Sequence, residues 1–422
     1  MGDMRLAAII LGTCAAASAQ VLIDASQAAS VLKHVDPQAS ASLRCETRPV
    51  APTLGFSLRF QTGYEVRVPL SQFHGPGHRI SVLLRVNPEV KEGQAAYLLR
   101  SFDLPDVPDT EFVAEVAGSF LVGQGSYHSM SIVLDDVNRV CRNDWRLEVK
   151  PGRSERNRLL MQPNTVAPLT TGSPGATTPG AEAMLNRMTI FLHAAPLIAG
   201  TSKLLPSDVL TVTGSLAALL EQLPARAVRL VVFNLEQQKE LYRNDGFTVR
   251  DLEQVTRVLD GLQLAMVDYH LLQQPQGQAE MLRALMHREL HEASPSDAVI
   301  FLGPDGSSAG SESPGEADSI APGQRIVYLQ YESSEPWFTV SRVTSSLGLT
   351  ADPRPKYPCQ SWPCSIIPAQ RTASQQAEVN TRTASERGAI GVAIRKLKGR
   401  ILVVRTPRDF AKAVDQIGRP GR

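Results

Sequence analysis

From about residue 40 to 150, apolar and polar positions alternate. "SLRFQTGYEVRVPL", "HRISVLLRVNP", "AAYLLRSFDL" and "MSIVLDDV" are short runs rich in Val, Ile, Leu and Phe, separated by the turn-forming stretches "HGPGH" and "VGQGS". Successive side chains of a strand point to opposite faces, so this period predicts half-buried strands. Several such strands at this spacing predict an antiparallel β-sandwich over residues 20–150.

The pattern then breaks. Residues 151–185, including "TVAPLTTGSPGATTPGAEA", are rich in Pro, Gly, Ser and Thr and read as a flexible linker. From 187 onward, "RMTIFLHA", "VRLVVFNL", "DAVIFLG", "QRIVYLQY" and "RILVVRT" are continuous apolar runs, as expected of strands covered on both faces. Amphipathic segments alternate with them: "DVLTVTGSLAALLEQL", "TVRDLEQVTRVLDGL", "QAEMLRALMHRELHEA", "ERGAIGVAIRKLKG" and "PRDFAKAVDQI". Thr248 with Asp251 has the spacing of a capping box, and Thr406-Pro407 places a cap and an N1 proline before the last helix. Strands interleaved with helices predict a doubly wound α/β domain over 186–422.

Charge changes this picture little. With 43 Lys+Arg against 42 Asp+Glu, the whole-chain field gives no attraction to nucleic acid or an anionic membrane. The N-terminus changes it more. "MGDMRLAAIILGTCAAASAQ" has a short n-region ending at Arg5 and an apolar run from Leu6 to Ala17, then Ala17-Ser18-Ala19. This is the pattern of a signal peptide over 1–19 cleaved after Ala19, and it predicts an exported protein, periplasmic or secreted. No later run approaches the roughly 18 apolar residues of a membrane span. In an oxidising compartment the four remaining cysteines read as staples. One bridge per domain gives Cys45–Cys141 and Cys359–Cys364.

The order of elements over 187–422 resembles a von Willebrand factor A domain, a metal-binding interaction module. "TIFLHAAPL" stands where that family's first strand carries Asp-x-Ser-x-Ser, and "SDAVIFLGPDG" is similar to the strand that ends in its Thr-Asp-Gly loop. The positions matching the metal-binding Asp and two Ser are His193, Ala195 and Leu197, and only Asp305 keeps a carboxylate. Magnesium takes oxygen ligands, which Ala and Leu side chains lack. The resemblance therefore implies a degenerate version that binds without metal or other cofactor, through a face around His193, Asn234 and Asp305.

Two stretches imitate catalytic motifs. "LMHRELHEA" sets His287 and His291 four apart, but Glu289 follows His287 by two positions, about 200° around a helix. A zinc protease needs its glutamate directly after the first histidine. The apolar positions Met281, Leu282, Leu285, Met286 and Leu290 form a stripe opposite both histidines, and Glu289 falls inside that stripe without an account from sequence. "GSSAG" satisfies G-x-S-x-G around Ser308, but "SESPGEADSIAPG" follows it where a nucleophile elbow needs a helix. The expected function is an exported module that binds another protein and is not an enzyme. An exported hydrolase using His287 and His291 with zinc, or Ser308, is the alternative, and a structural envelope component a third.

Overall fold

The computed structural model describes residues 20–33, 42–75, 77–90, 93–104, 112–152, 161–169, 184–197, 201, 203–264, 276–290, 295–305, 324–332, 347–351 and 388–418. The alternating region supplies β1 (Val21–Ile23), α1 (Ala25–Leu32), β2 (Glu46–Leu54), β3 (Phe60–Pro69), β4 (Arg79–Pro88), β5 (Ala96–Asp103), β6 (Phe112–Val122), β7 (Gly125–Asp135) and β8 (Val140–Val149). Then come β9 (Val166–Pro168), β10 (Leu185–His193), α2 (Pro206–Gln222), β11 (Ala225–Asn234), β12 (Lys239–Asn244), α3 (Leu252–Asp260), α4 (Gly277–Leu290), β13 (Ala298–Pro304) and β14 (Arg325–Tyr331). The chain closes with β15 (Leu347–Ala351), α5 (Ala389–Lys396), β16 (Arg400–Val404) and α6 (Pro407–Gly418).

Two antiparallel sheets, β1-β5-β4-β7-β8 and β15-β6-β3-β2, enclose one core. Tyr64, Val66 and Val68 of β3 meet Val82, Leu84 and Val86 of β4 there, each pair of neighbours two residues apart as the strand period requires. The Cys45–Cys141 disulfide joins the segment entering edge strand β2 to edge strand β8 of the other sheet, with Cα atoms 6.0 Å apart. Helix α1 starts at Asp24, whose carboxylate accepts the Gln27 N–H at 2.8 Å. It covers the outer face of the first sheet through Ala28, against Leu83, Ile132 and Leu134.

The third sheet runs β12-β11-β10-β13-β14-β16. Helices α2, α3 and α6 pack on Ile190, Leu192, Leu230, Val232, Ile300 and Leu302. The other face, with Phe191, Val231, Phe233 and Phe301, takes α4 and α5. Coverage on both sides explains why these strands read as unbroken apolar runs.

The expectation of a doubly wound α/β class is nevertheless corrected for this chain. Of the described residues 45% are strand and 28% helix, in three sheets. Nine of the thirteen strand pairings among them are antiparallel. The reason is that parallel pairing stays within one sheet, and even there β12 lies antiparallel on β11. In addition, β15, from late in the sequence, returns to pair antiparallel with β6, Leu347 opposite Val116. Strand β9, from the stretch read as linker, pairs with the same β6 at Phe120–Val122. Local periodicity carries no trace of either return.

Candidate functional site

His193, Asn234 and Asp305 stand at or just beyond the carboxyl ends of β10, β11 and β13, so the third sheet does bring them to one edge. His193 is only 1% exposed. Its Nδ1 lies 2.8 Å from the Pro304 carbonyl, and the Leu235 N–H points at Nε2 from 3.4 Å. The ring stacks on Phe233 at 5.3 Å. The Glu236 carboxylate is 3.7 Å from Nε2, beyond hydrogen-bond length. Asn234 is fully buried and uses both ends of its amide: Nδ2 donates to the Ala194 carbonyl at 2.7 Å, and Oδ1 accepts from the Gln237 N–H at 2.7 Å.

Asp305 meets a helix end. Gly388 is the N-cap of α5, and a Cβ placed on it would lie 1.9 Å from the Asp305 Cγ. The carboxylate therefore occupies space that only glycine leaves, beside the positive end of the α5 dipole. Below it, burial pushes the Tyr328 hydroxyl well above its ordinary range, and the Asp305 charge adds to the shift. Ala195 is buried and Leu197 packs against the helix-covered core, so the two apolar positions of the degenerate motif serve as packing. Among the described residues no group of three or more His, Cys, Asp or Glu is placed to hold a metal ion. Chemically, this edge is a clasp. His193 and Asn234 tie strand ends β10, β11 and β13 together through backbone groups.

Of the imitated motifs, His287 is exposed in the last turn of α4, while His291, Ser308, Cys359 and Cys364 lie outside the described residues, as does the 1–19 segment.

One buried polar cluster is not among the residues anticipated from sequence. Glu289, 1% exposed, faces the sheet from α4, and its Oε2 accepts from Arg229 Nη1 at 2.7 Å. Its Oε1 accepts from Thr189 Oγ1 and, at 3.0 Å, from Ser296 Oγ. Arg229 also donates through Nε to Asp245 at 2.5 Å, a carboxylate whose side chain is 62% exposed. Thr189 and Arg229 are direct partners midway along the β10–β11 ladder, four residues before His193. This accounts for the acidic residue inside the apolar stripe of α4. The available signals were Thr189 in "MTIFLH" and Arg229 in "VRLVVF", single polar positions within buried runs, and Glu289 itself.

No protein-family profile, no curated protein and no solved structure matches this chain, and nothing in these comparisons identifies a von Willebrand factor A-like domain.

Proposed function

We propose that this chain is an exported protein whose work is to bind another protein without a metal. The observation that carries the reading is strand β1. It pairs with β5 on one side only among the described residues, and it exposes Val21 and Leu22 to 56% and 46% at the end of its sheet. A strand edge with unpaired backbone groups and exposed apolar side chains is a template for an incoming extended segment. Strand β1 also follows directly on the Ala19 cleavage position, so processing would leave it beside the new terminus. The disulfide between Cys45 and Cys141 is compatible with an oxidising compartment. No described helix is long and apolar enough to cross a membrane.

The test has two independent readouts. Mass spectrometry of the protein recovered from an exporting host should show a chain beginning at Gln20, and an intact Met1 would end the export reading. The folded protein, immobilised, is then offered envelope and secreted proteins, beside a Val21→Lys/Leu22→Lys variant. Capture that the variant loses supports binding at β1. A folded sample that captures nothing, or a variant that captures the same set, overturns it.

A further inference from the structure

The turn between β2 and β3, "GFSLRF", leaves its own sandwich and enters the helix-covered core of the third sheet. Leu58 is 1% exposed and belongs to that core rather than to the sandwich's. Phe56 packs between the rings of Tyr331 at 5.4 Å and Phe410 at 6.0 Å. Tyr331 is itself fixed by the Ser215 hydroxyl at 2.5 Å, so the socket has a defined wall. Arg59 Nη2 donates to both carboxylate oxygens of Glu221, at 2.9 and 2.8 Å, with both side chains almost fully buried. Gly214 on α2 lets the two backbones close: its Cβ, if present, would be 3.2 Å from the Ser57 nitrogen.

Leu58 holds φ at +55°, a conformation that bulky side chains seldom adopt without surrounding structure to enforce it. The hairpin's own backbone closes the turn, the Leu58 N–H donating to the Gly55 carbonyl at 3.0 Å and the Gly55 N–H to the Arg59 carbonyl at 2.9 Å, while the Leu58 side chain is gripped by the other body. The hairpin therefore holds the backbone of the tip, and the socket takes its side chains.

We propose that residues 55–60 form an internal latch: the hairpin tip is a ligand of the groove between α2, β14 and α6, and it locks the sandwich and the third sheet into one cooperative body. Linker composition alone had allowed the two to move independently. Docking makes them unfold and respond together, and breaking it leaves the two bodies joined by their chain connections, with β15 still paired to β6.

Two experiments on the full chain test this. In Ser57→Cys/Gly214→Cys the new Cβ atoms would stand 3.5 Å apart, within the roughly 3.5–4.5 Å that a disulfide spans. Oxidation should give a complete cross-link within one chain, with Cys45–Cys141 intact by peptide mapping. Absence of the link overturns the latch, and a link between two chains overturns it in favour of hairpin exchange between copies. The second experiment is Arg59→Glu read by calorimetry and amide exchange. One unfolding transition should split into two, and exchange at Leu58 and along α2 should rise at least roughly tenfold. The charge-swapped Arg59→Glu/Glu221→Arg chain should recover much of the loss. A single unchanged transition in folded Arg59→Glu overturns the proposal. If that variant fails to fold, the cross-linking result decides.

Discussion

Removing the Glu289 carboxylate should be among the most damaging single changes outside the hydrophobic core. Glu289→Ala leaves the Arg229 guanidinium, 4% exposed, with Asp245 as its remaining carboxylate partner among the contacts described, and that carboxylate is largely in water. It also takes the acceptor from the Thr189 and Ser296 hydroxyls, which can fall back on each other at 2.8 Å. Breaking a buried pair by deleting one member costs about 3–5 kcal/mol, because the survivor stays desolvated. The surviving Asp245 contact pulls the expectation toward the lower end of that range, and the space vacated under α4 pulls it back up. Since a domain holds only about 5–15 kcal/mol in total, such a loss is a large shift in the urea midpoint at unchanged slope. Circular dichroism of Glu289→Ala and wild type in parallel urea series reads it directly. The double change Arg229→Met/Glu289→Leu should recover most of the loss, because two apolar side chains of similar volume leave no stranded charge. A cost below about 1 kcal/mol for Glu289→Ala, the range of an exposed pair, would refute the argument. So would a double variant no better than the single one.

Gly388→Ala should destabilise by about 1–3 kcal/mol, since its Cβ would enter the Asp305 carboxylate. Most of that cost should vanish in Gly388→Ala/Asp305→Ala, as thermal unfolding of the three variants would show. Cys45→Ala/Cys141→Ala should lower stability by about 4–5 kcal/mol in the chain-entropy model, given the separation of 96 residues, measured by denaturant unfolding. His78 supplies a pH effect. Its Nε2 faces the His74 carbonyl at 3.0 Å and its Nδ1 the Asp136 carboxylate at 3.1 Å, so both nitrogens meet acceptors. The carbonyl first, then the carboxylate, raise the folded pKa above the ordinary 6.5. A raised folded value means the contribution is complete below the unfolded pKa and is lost as pH climbs through the folded one. Wild type should therefore lose stability on passing upward from pH 6.5, and His78→Gln should lack that slope in the same titration of urea midpoints. Parallel slopes would sink the assignment.

Much of this architecture can be read from local pattern, and the failures share one cause. Period-two alternation locates β3, β4 and β7 because each strand has one face on the sandwich core, and the sequence alone carries that alternation. Pairing Cys45 with Cys141 was likewise reachable from cysteine number and the division of the chain into two domains. Class was not. Strand β15 pairs with a β6 more than two hundred positions earlier, and the composition around β9 is that of a linker although its backbone completes a ladder. Pairing partners so distant leave no periodic signature. The partners of polar residues at strand ends are hidden for the same reason. His193 and Asn234 read as members of a binding face, and their bonds to the Pro304 and Ala194 carbonyls stayed unseen, because contact with a distant backbone group cannot be inferred from spacing.

The stretch "GFSLRF" sharpens the point. Read locally, it is a hairpin turn followed by a strand, and in that reading Phe56 and Leu58 are two apolar residues misplaced in a turn. A turn exposes its side chains to water unless something outside the hairpin covers them. Two large apolar residues and an arginine at a turn thus already imply a covering surface, even though nothing local says which one. The same reasoning applies to Glu289 in its stripe, Arg229 in its strand and Leu58 at its tip. Each residue offends the local pattern because its partner lies in another part of the fold, and the offence itself marks where a long-range contact must be sought.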